Sequence, residues 1–172
     1  MATANFTITR LPDTHTPAHP YYPLDAEILS YAANKTPVPY LLLTFFAACA
    51  ALFTATYKLT THFQPSLTRS QLATILWFTL SGSIHIFFEG YYVTHFSSLG
   101  GDQTLIGQMW KEYAFSDSRY LTRDPFVLCV ESVTAAVWGP GCFLCAWLVA
   151  RGHEARWAAV VVVSLGQMYG EF

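Results

Sequence analysis

Ser81-Gly-Ser-Ile-His-Ile-Phe-Phe-Glu-Gly-Tyr-Tyr92 is an apolar stretch with a histidine and a carboxylate set inside it. His85 and Glu89 are four residues apart, so a helix carries both on one face. An ionised carboxylate in hydrocarbon is costly, and such a group faces a partner or a cavity. A second apolar run, Phe126 to Ala150, carries one acid of its own, Glu131. The reading that organises the chain is that His85, Glu89 and Glu131 meet.

The composition sets the surroundings of that site. The chain has 172 residues, enough for one domain, of which 53% are hydrophobic and only 12% charged. Soluble domains average about 25% charged residues. With a mean hydropathy of +0.32, the deficit predicts a membrane protein. A net charge of -2 and the lack of a basic cluster argue against nucleic acid as a partner. Cys49, Cys129, Cys142 and Cys145 all lie in apolar runs, and Cys142 and Cys145 form a lone CxxC. With no second pair, the reading is small packing residues rather than metal or redox groups.

Outward from the central stretch, residues 1–39 read as a polar tail broken by prolines. It has no basic-then-apolar start, so no cleaved signal peptide is expected. Within it, His19-Pro-Tyr-Tyr-Pro23 is either a bland linker or an aromatic segment at headgroup level. Residues 40–172 read as the membrane domain. Tyr40 to Tyr57 is an uncharged run that ends at Lys58 and nearly reaches the roughly 20 residues a membrane span needs. The central run extends from about Gln71 to Phe96, with Ser81, Gly82 and Ser83 small enough to let another helix approach. In the third run, Glu131, Thr134 and Trp138 fall at i, i+3 and i+7 on one helical face, and Gly139-Pro140-Gly141 predicts a kink. The fourth run, Trp157 to Tyr169, is short for a crossing.

The long polar stretch is Ser97 to Pro125. In it Leu105, Ile106, Met109, Trp110 and Tyr113 recur at helical spacing, which predicts an amphipathic helix at the membrane surface or an ordinary loop helix.

The bland reading of the three titratable groups is structural. Glu89 bonds His85 within its own turn, and Glu131 bonds a hydroxyl or indole across helices. If they work, three chemistries compete. His plus two carboxylates can hold iron, although membrane oxidases of that kind carry many more histidines. Acids in pores relay protons. In a dry pocket one carboxyl stays neutral as an acid while another stays ionised as a base. Such a pair protonates an alkene and removes a different proton, which moves a double bond without a cofactor. Aromatic faces stabilise the cation between the two steps. The aromatic density suits this apolar cavity better than a pore.

Eight short motifs in order then carry a resemblance. They are His19-Pro-Tyr, Ile84-His-x-x-x-Glu-Gly90, Gly101-Asp-Gln, Trp110-Lys-Glu-Tyr, Asp117-Ser-Arg-Tyr120, Glu131-x-x-Thr-Ala, Trp138-Gly-Pro and Gly166-Gln-x-Tyr-Gly170. From His19 onward the chain resembles the emopamil-binding protein family, the 3β-hydroxysteroid Δ8,Δ7-isomerases, within the EXPERA-domain membrane proteins. The resemblance implies an all-α polytopic transmembrane helix bundle in the endoplasmic reticulum membrane with a sterol cavity open to lipid. It implies a shift of the sterol double bond from C8–C9 to C7–C8 in sterol biosynthesis, without a cofactor or metal.

Carried over, His85, Glu89, Glu131 and Thr134 match catalytic positions. The two glutamates handle protons and stabilise the cation, His85 tunes Glu89, and Thr134 orients Glu131. Trp110, Tyr113 and Trp138 are the expected substrate-binding aromatics. Sterol and lipid bilayer are the expected partners, with a homodimer as a further possibility. The family's fifth transmembrane helix carries an Asn and a Trp that line the cavity, and on this reading the chain stops before it, with four membrane segments, the last incomplete. The alternatives are a non-catalytic sterol or amphiphilic-amine binder like the sigma-2 receptor, an inactive truncated form, or an isomerase of another polycyclic terpenoid.

Overall fold

A computed structural model describes residues 18–170; the first part of the N-terminal tail and the last two residues lie outside it. Every regular element among the described residues is helical. Five continuous helices follow one another: α1 (Val38–Phe63), α2 (Arg69–His95), α3 (Leu105–Tyr113), α4 (Pro125–Ala150) and α5 (Arg156–Gly170). Short 3₁₀ turns occur at Leu99–Gly101 and Ser118–Tyr120. By length and composition α1, α2 and α4 are able to cross a membrane. The 15 residues of α5 give about 22 Å at 1.5 Å per residue, short of a hydrocarbon core of about 30 Å. The chain is therefore a multi-pass all-α membrane protein.

Local sequence sets the helix starts. At α2, Thr68 and Gln71 form a reciprocal capping box: the Gln71 amide donates to Thr68 Oγ1 at 3.3 Å, and the Thr68 amide donates to Gln71 Oε1 at 2.9 Å. At α4, Asp124 accepts from the amides of Phe126 and Val127 at 2.8 and 3.0 Å. Pro125 occupies the first turn, where its missing N–H is no loss.

Both α2 and α4 widen into a π turn partway along, at Ile84–Glu89 and Thr134–Trp138. In α4 the Gly139 amide bonds the Thr134 carbonyl five residues back. The irregularity falls directly before Pro140, whose ring cannot follow an ordinary helical turn without a clash. The break predicted from Gly139-Pro140-Gly141 thus takes the form of a wide turn.

Glycines let α2 and α4 touch. A Cβ on Gly139 would stand 2.6 Å from Ile86 Cγ1, and one on Gly82 would stand 3.0 Å from the Gly139 carbonyl. Between these helices and α5 lies an apolar core that includes Ile75, Phe78, Cys145, Val149 and Val163. Cys142 and Cys145 are fully buried free thiols in this core.

The helix predicted from the apolar spacing of the long polar stretch is present as α3, and the face that it buries in the protein is partly polar. Its buried residues are Gly107, Gln108, Trp110 and Lys111, while Leu105 and Tyr113 are about half exposed. Segment 18–36, read as part of a tail, supplies the reason. Gln108 Oε1 accepts from the amides of Lys35 and Thr36 at 2.9 and 2.8 Å. Lys111 Nζ donates to the Ala32 carbonyl at 2.7 Å. Unpaired backbone groups are costly to bury, so a polar helix face that satisfies them is buried with them. His19 and Tyr21 belong to this strap. Tyr21 is 3% exposed, stacks near Phe115 and donates to the Lys111 carbonyl at 3.1 Å. In this motif His19 and Tyr21 are packed into the protein, so it is more than a linker, while Tyr22 stays 85% exposed.

Candidate functional site

All five helices and the turn at Ser118–Tyr120 contribute to one cavity of about 690 Å³. That size lies within the roughly 300–1,000 Å³ of small-molecule sites. Leu41, Phe45 and Phe46 of α1 give it an apolar wall. His85, Glu89, Glu131 and Thr134, on two different helices, give it a polar one. The two π turns hold these residues: His85 and Glu89 lie within the first, and Thr134 opens the second just after Glu131. Wide turns of this kind are frequent at functional sites.

His85 Nδ1 lies 2.8 Å from Glu89 Oε2, with the two side chains 14% and 17% exposed. Glu131 is 8% exposed, and its Oε1 accepts from the Tyr120 hydroxyl at 2.5 Å. Burial, then the bond to Glu131, raises the Tyr120 pKa far above the ordinary value, so the phenol stays a neutral donor. The His85–Glu89 contact of the bland reading is thus present, whereas the hydroxyl on Glu131 comes from the turn before its own helix and not from across helices. What structural glue alone does not require is that both acids also line one cavity.

Thr134 lines the cavity, but its hydroxyl donates to the Val130 carbonyl at 2.9 Å rather than to Glu131. Trp110 donates its indole N–H to the Phe88 carbonyl at 3.0 Å and stacks on the Phe88 ring. Tyr113 stands edge-on to both Trp110 and Tyr120, and all three rings line the cavity. At the rim, the Arg119 guanidinium meets Asp117 at 2.6 Å and holds that carboxyl below its usual range.

Trp138 is the sequence candidate that does not line the cavity. Its indole lies against Gly166 of α5, where a Cβ would collide with the ring. The i, i+7 reading assumed 3.6 residues per turn throughout. The π turn at Thr134–Trp138 spends more residues per turn and rotates Trp138 off the face of Glu131.

Two cavity residues that bond the selected groups, Tyr120 to Glu131 and Gln167 to His85, escaped selection from the sequence. Each sits in a quoted motif, Asp117-Ser-Arg-Tyr120 and Gly166-Gln-x-Tyr-Gly170, but the motif does not say that the side chain meets a glutamate or a histidine. Among the described residues, no group of three or more His, Cys, Asp or Glu is arranged to hold a metal ion.

The arrangement offers two carboxyl groups in unlike settings, one beside an imidazole and one buried beside a phenol. Such differences separate acid from base roles. The surrounding aromatic faces attract cations.

Comparison with known proteins places this geometry in a family. Residues 105–172 match the family model described as EXPERA (EXPanded EBP superfamily). A 3-beta-hydroxysteroid-Delta(8),Delta(7)-isomerase of Cavia porcellus is 34% identical over 160 residues, which are 90% of this chain and 68% of that protein. The protein of the same name from Rattus norvegicus is 36% identical over the same shares. Over 98 residues, 56% of this chain and 46% of the relative, the identity to a protoglabretal synthase of Citrus sinensis is 42%. On this similarity along nearly its whole length, the chain belongs to the emopamil-binding protein family of EXPERA membrane proteins.

Proposed function

We propose that this protein is a sterol Δ8,Δ7-isomerase of the endoplasmic reticulum membrane, with residues 40–172 as its catalytic domain. The observation that carries the reading is the placement of His85–Glu89 and Glu131 on two helices around one aromatic-walled cavity. The names of the mammalian relatives support it.

The chemistry follows from the groups present. A carboxylic acid adds a proton at C9 of the Δ8 sterol, which leaves a tertiary cation at C8. A carboxylate removes a proton from C7, and the double bond re-forms between C7 and C8. Atoms and charge balance, because one proton enters and one leaves. Glu89 and Glu131 are the two carboxyl groups that handle these protons. Trp110, Tyr113 and Tyr120 present rings to the cationic centre. His85 positions Glu89. Thr134 contributes to the wall and steadies the turn after Glu131.

A second reading has one observation in its favour. The chain is 42% identical over 98 residues to a relative named a protoglabretal synthase rather than a sterol isomerase, which supports another polycyclic terpenoid as substrate.

The test is turnover in D₂O by the membrane-inserted chain, with a Δ8 sterol and separately a triterpenoid alkene, followed by mass spectrometry. A Δ7 sterol one deuteron heavier is the expected product, and Glu131→Gln abolishes it while the sterol still binds. A labelled product from the triterpenoid alone replaces the sterol reading by the second one. No turnover of either by well-inserted protein that binds sterol assigns it to the non-catalytic binders of the family.

A further inference from the structure

The motif Gly166-Gln-x-Tyr-Gly170 has no role in the mechanism above, yet it brings a third helix into the site. Gly166 lets α5 approach the Trp138 indole of α4. That contact carries the next residue, Gln167, over α2. Its Nε2 lies 2.6 Å from His85 Nε2 and 3.3 Å from Cys142 Sγ. An amide nitrogen has two protons to donate and no acceptor capacity. One proton goes to the imidazole and the other to the sulfur.

We propose that Gln167 is a positioning residue that sets the tautomer of His85 and so keeps Glu89 ionised. With the Gln167 amide nitrogen toward His85, the steps follow from donor and acceptor counting. With Gln167 donating, His85 Nε2 must present its lone pair. The neutral imidazole then carries its proton on Nδ1, which points at Glu89 Oε2 at 2.8 Å. An Nδ1–H facing that oxygen favours a carboxylate. In the opposite tautomer an Nδ1 lone pair faces Glu89, and the pair holds together only if Glu89 is protonated. Gln167 thus acts from α5 on the charge of Glu89 through His85.

The groups that face this relay are Glu89 from α2 and Cys142 from α4, with Glu131 and Tyr120 on the same cavity. For catalysis, where the inference rests on the isomerase reading, an ionised Glu89 is the group ready to take a proton or to face the cation. Turning the amide over puts its oxygen toward His85 and makes the opposite prediction, so the orientation is itself open to experiment.

Infrared spectroscopy of ¹³C-glutamate-labelled protein in lipid nanodiscs supplies the test. The carboxyl band that disappears in Glu89→Gln belongs to Glu89. In the wild type at neutral pH it is expected at the carboxylate position. In Gln167→Leu the carboxylic-acid band of Glu89 is expected to appear at a pH about one unit higher, which is a tenfold change in its proton affinity. In Gln167→Glu, whose carboxylate accepts a proton from His85 Nε2 and favours the imidazolium, it is expected to appear at lower pH.

A protonated Glu89 in the wild type at neutral pH overturns the proposal, and this measurement needs no variant at position 167. Identical titration in wild type and Gln167→Leu also overturns it. With turnover established, Gln167→Leu is further expected to lower kcat about tenfold with KM little changed and to move the acidic limb of the pH profile upward. If the wild type isomerises nothing, the isomerase reading fails while the infrared result still decides the role of Gln167.

Discussion

Tyr120 and Glu131 meet hydroxyl to carboxylate at 2.5 Å, although one belongs to the turn before α4 and the other lies inside that helix. The bond ties the loop over the cavity to an acid buried in the wall. Tyr120→Phe removes one donor and little volume. On the proposed mechanism we expect kcat to fall about tenfold with KM within a factor of about two, because there the lost interaction aims Glu131 rather than binding the substrate. Steady-state kinetics decide the point. A rise in KM at constant kcat would make Tyr120 a wall residue only.

The approach of α5 to α4 depends on the missing side chain at Gly166. Gly166→Val puts atoms where the Trp138 indole lies. The helices must separate, with about 1–3 kcal/mol of overpacking strain. The expected result is a lower melting temperature in detergent together with loss of the Gln167–His85 contact. In Gly166→Val, Trp138→Ala the collision is relieved, so partial recovery of the melting temperature is expected. No recovery would place the strain elsewhere.

Lys111 is fully buried beside the strap, and burial lowers its pKa from the ordinary 10.5. A lysine whose folded pKa is lowered weakens the fold wherever the unfolded chain is protonated and the folded one resists. Stability from this group therefore rises as pH climbs from the lowered value toward 10.5. Lys111→Met is expected to abolish that alkaline gain, and the Ala32 carbonyl keeps a second donor in Gln103 Nε2 at 3.3 Å. Thermal unfolding compared between roughly pH 8 and pH 10 reads the difference. An unchanged alkaline gain in the variant would assign it to another group.

The Tyr92 side chain is fully buried, and its hydroxyl has no hydrogen-bond partner among the described residues. Burying an unpaired hydroxyl costs about 1–3 kcal/mol. Tyr92→Phe keeps the ring packed against Trp110 and Tyr120. The expected melting temperature is equal to or above that of the wild type. A clear fall would reveal a bridging water at the hydroxyl.

The sequence by itself determined the membrane character, the helix positions and the pairing of His85 with Glu89. These depend on local quantities: hydropathy over about 20 residues, caps within three residues, and the i, i+4 spacing of a helix. Tertiary structure decided what local rules do not reach. The polar face of α3 turned inward because segment 18–36 brought backbone groups that needed partners. Trp138 left the face of Glu131 because a π turn before Pro140 changed the residues per turn. Tyr120 and Gln167 joined the site through contacts across 11 and 82 residues. Periodicity along one helix says which side a residue occupies, and only the packing of several helices says what stands opposite.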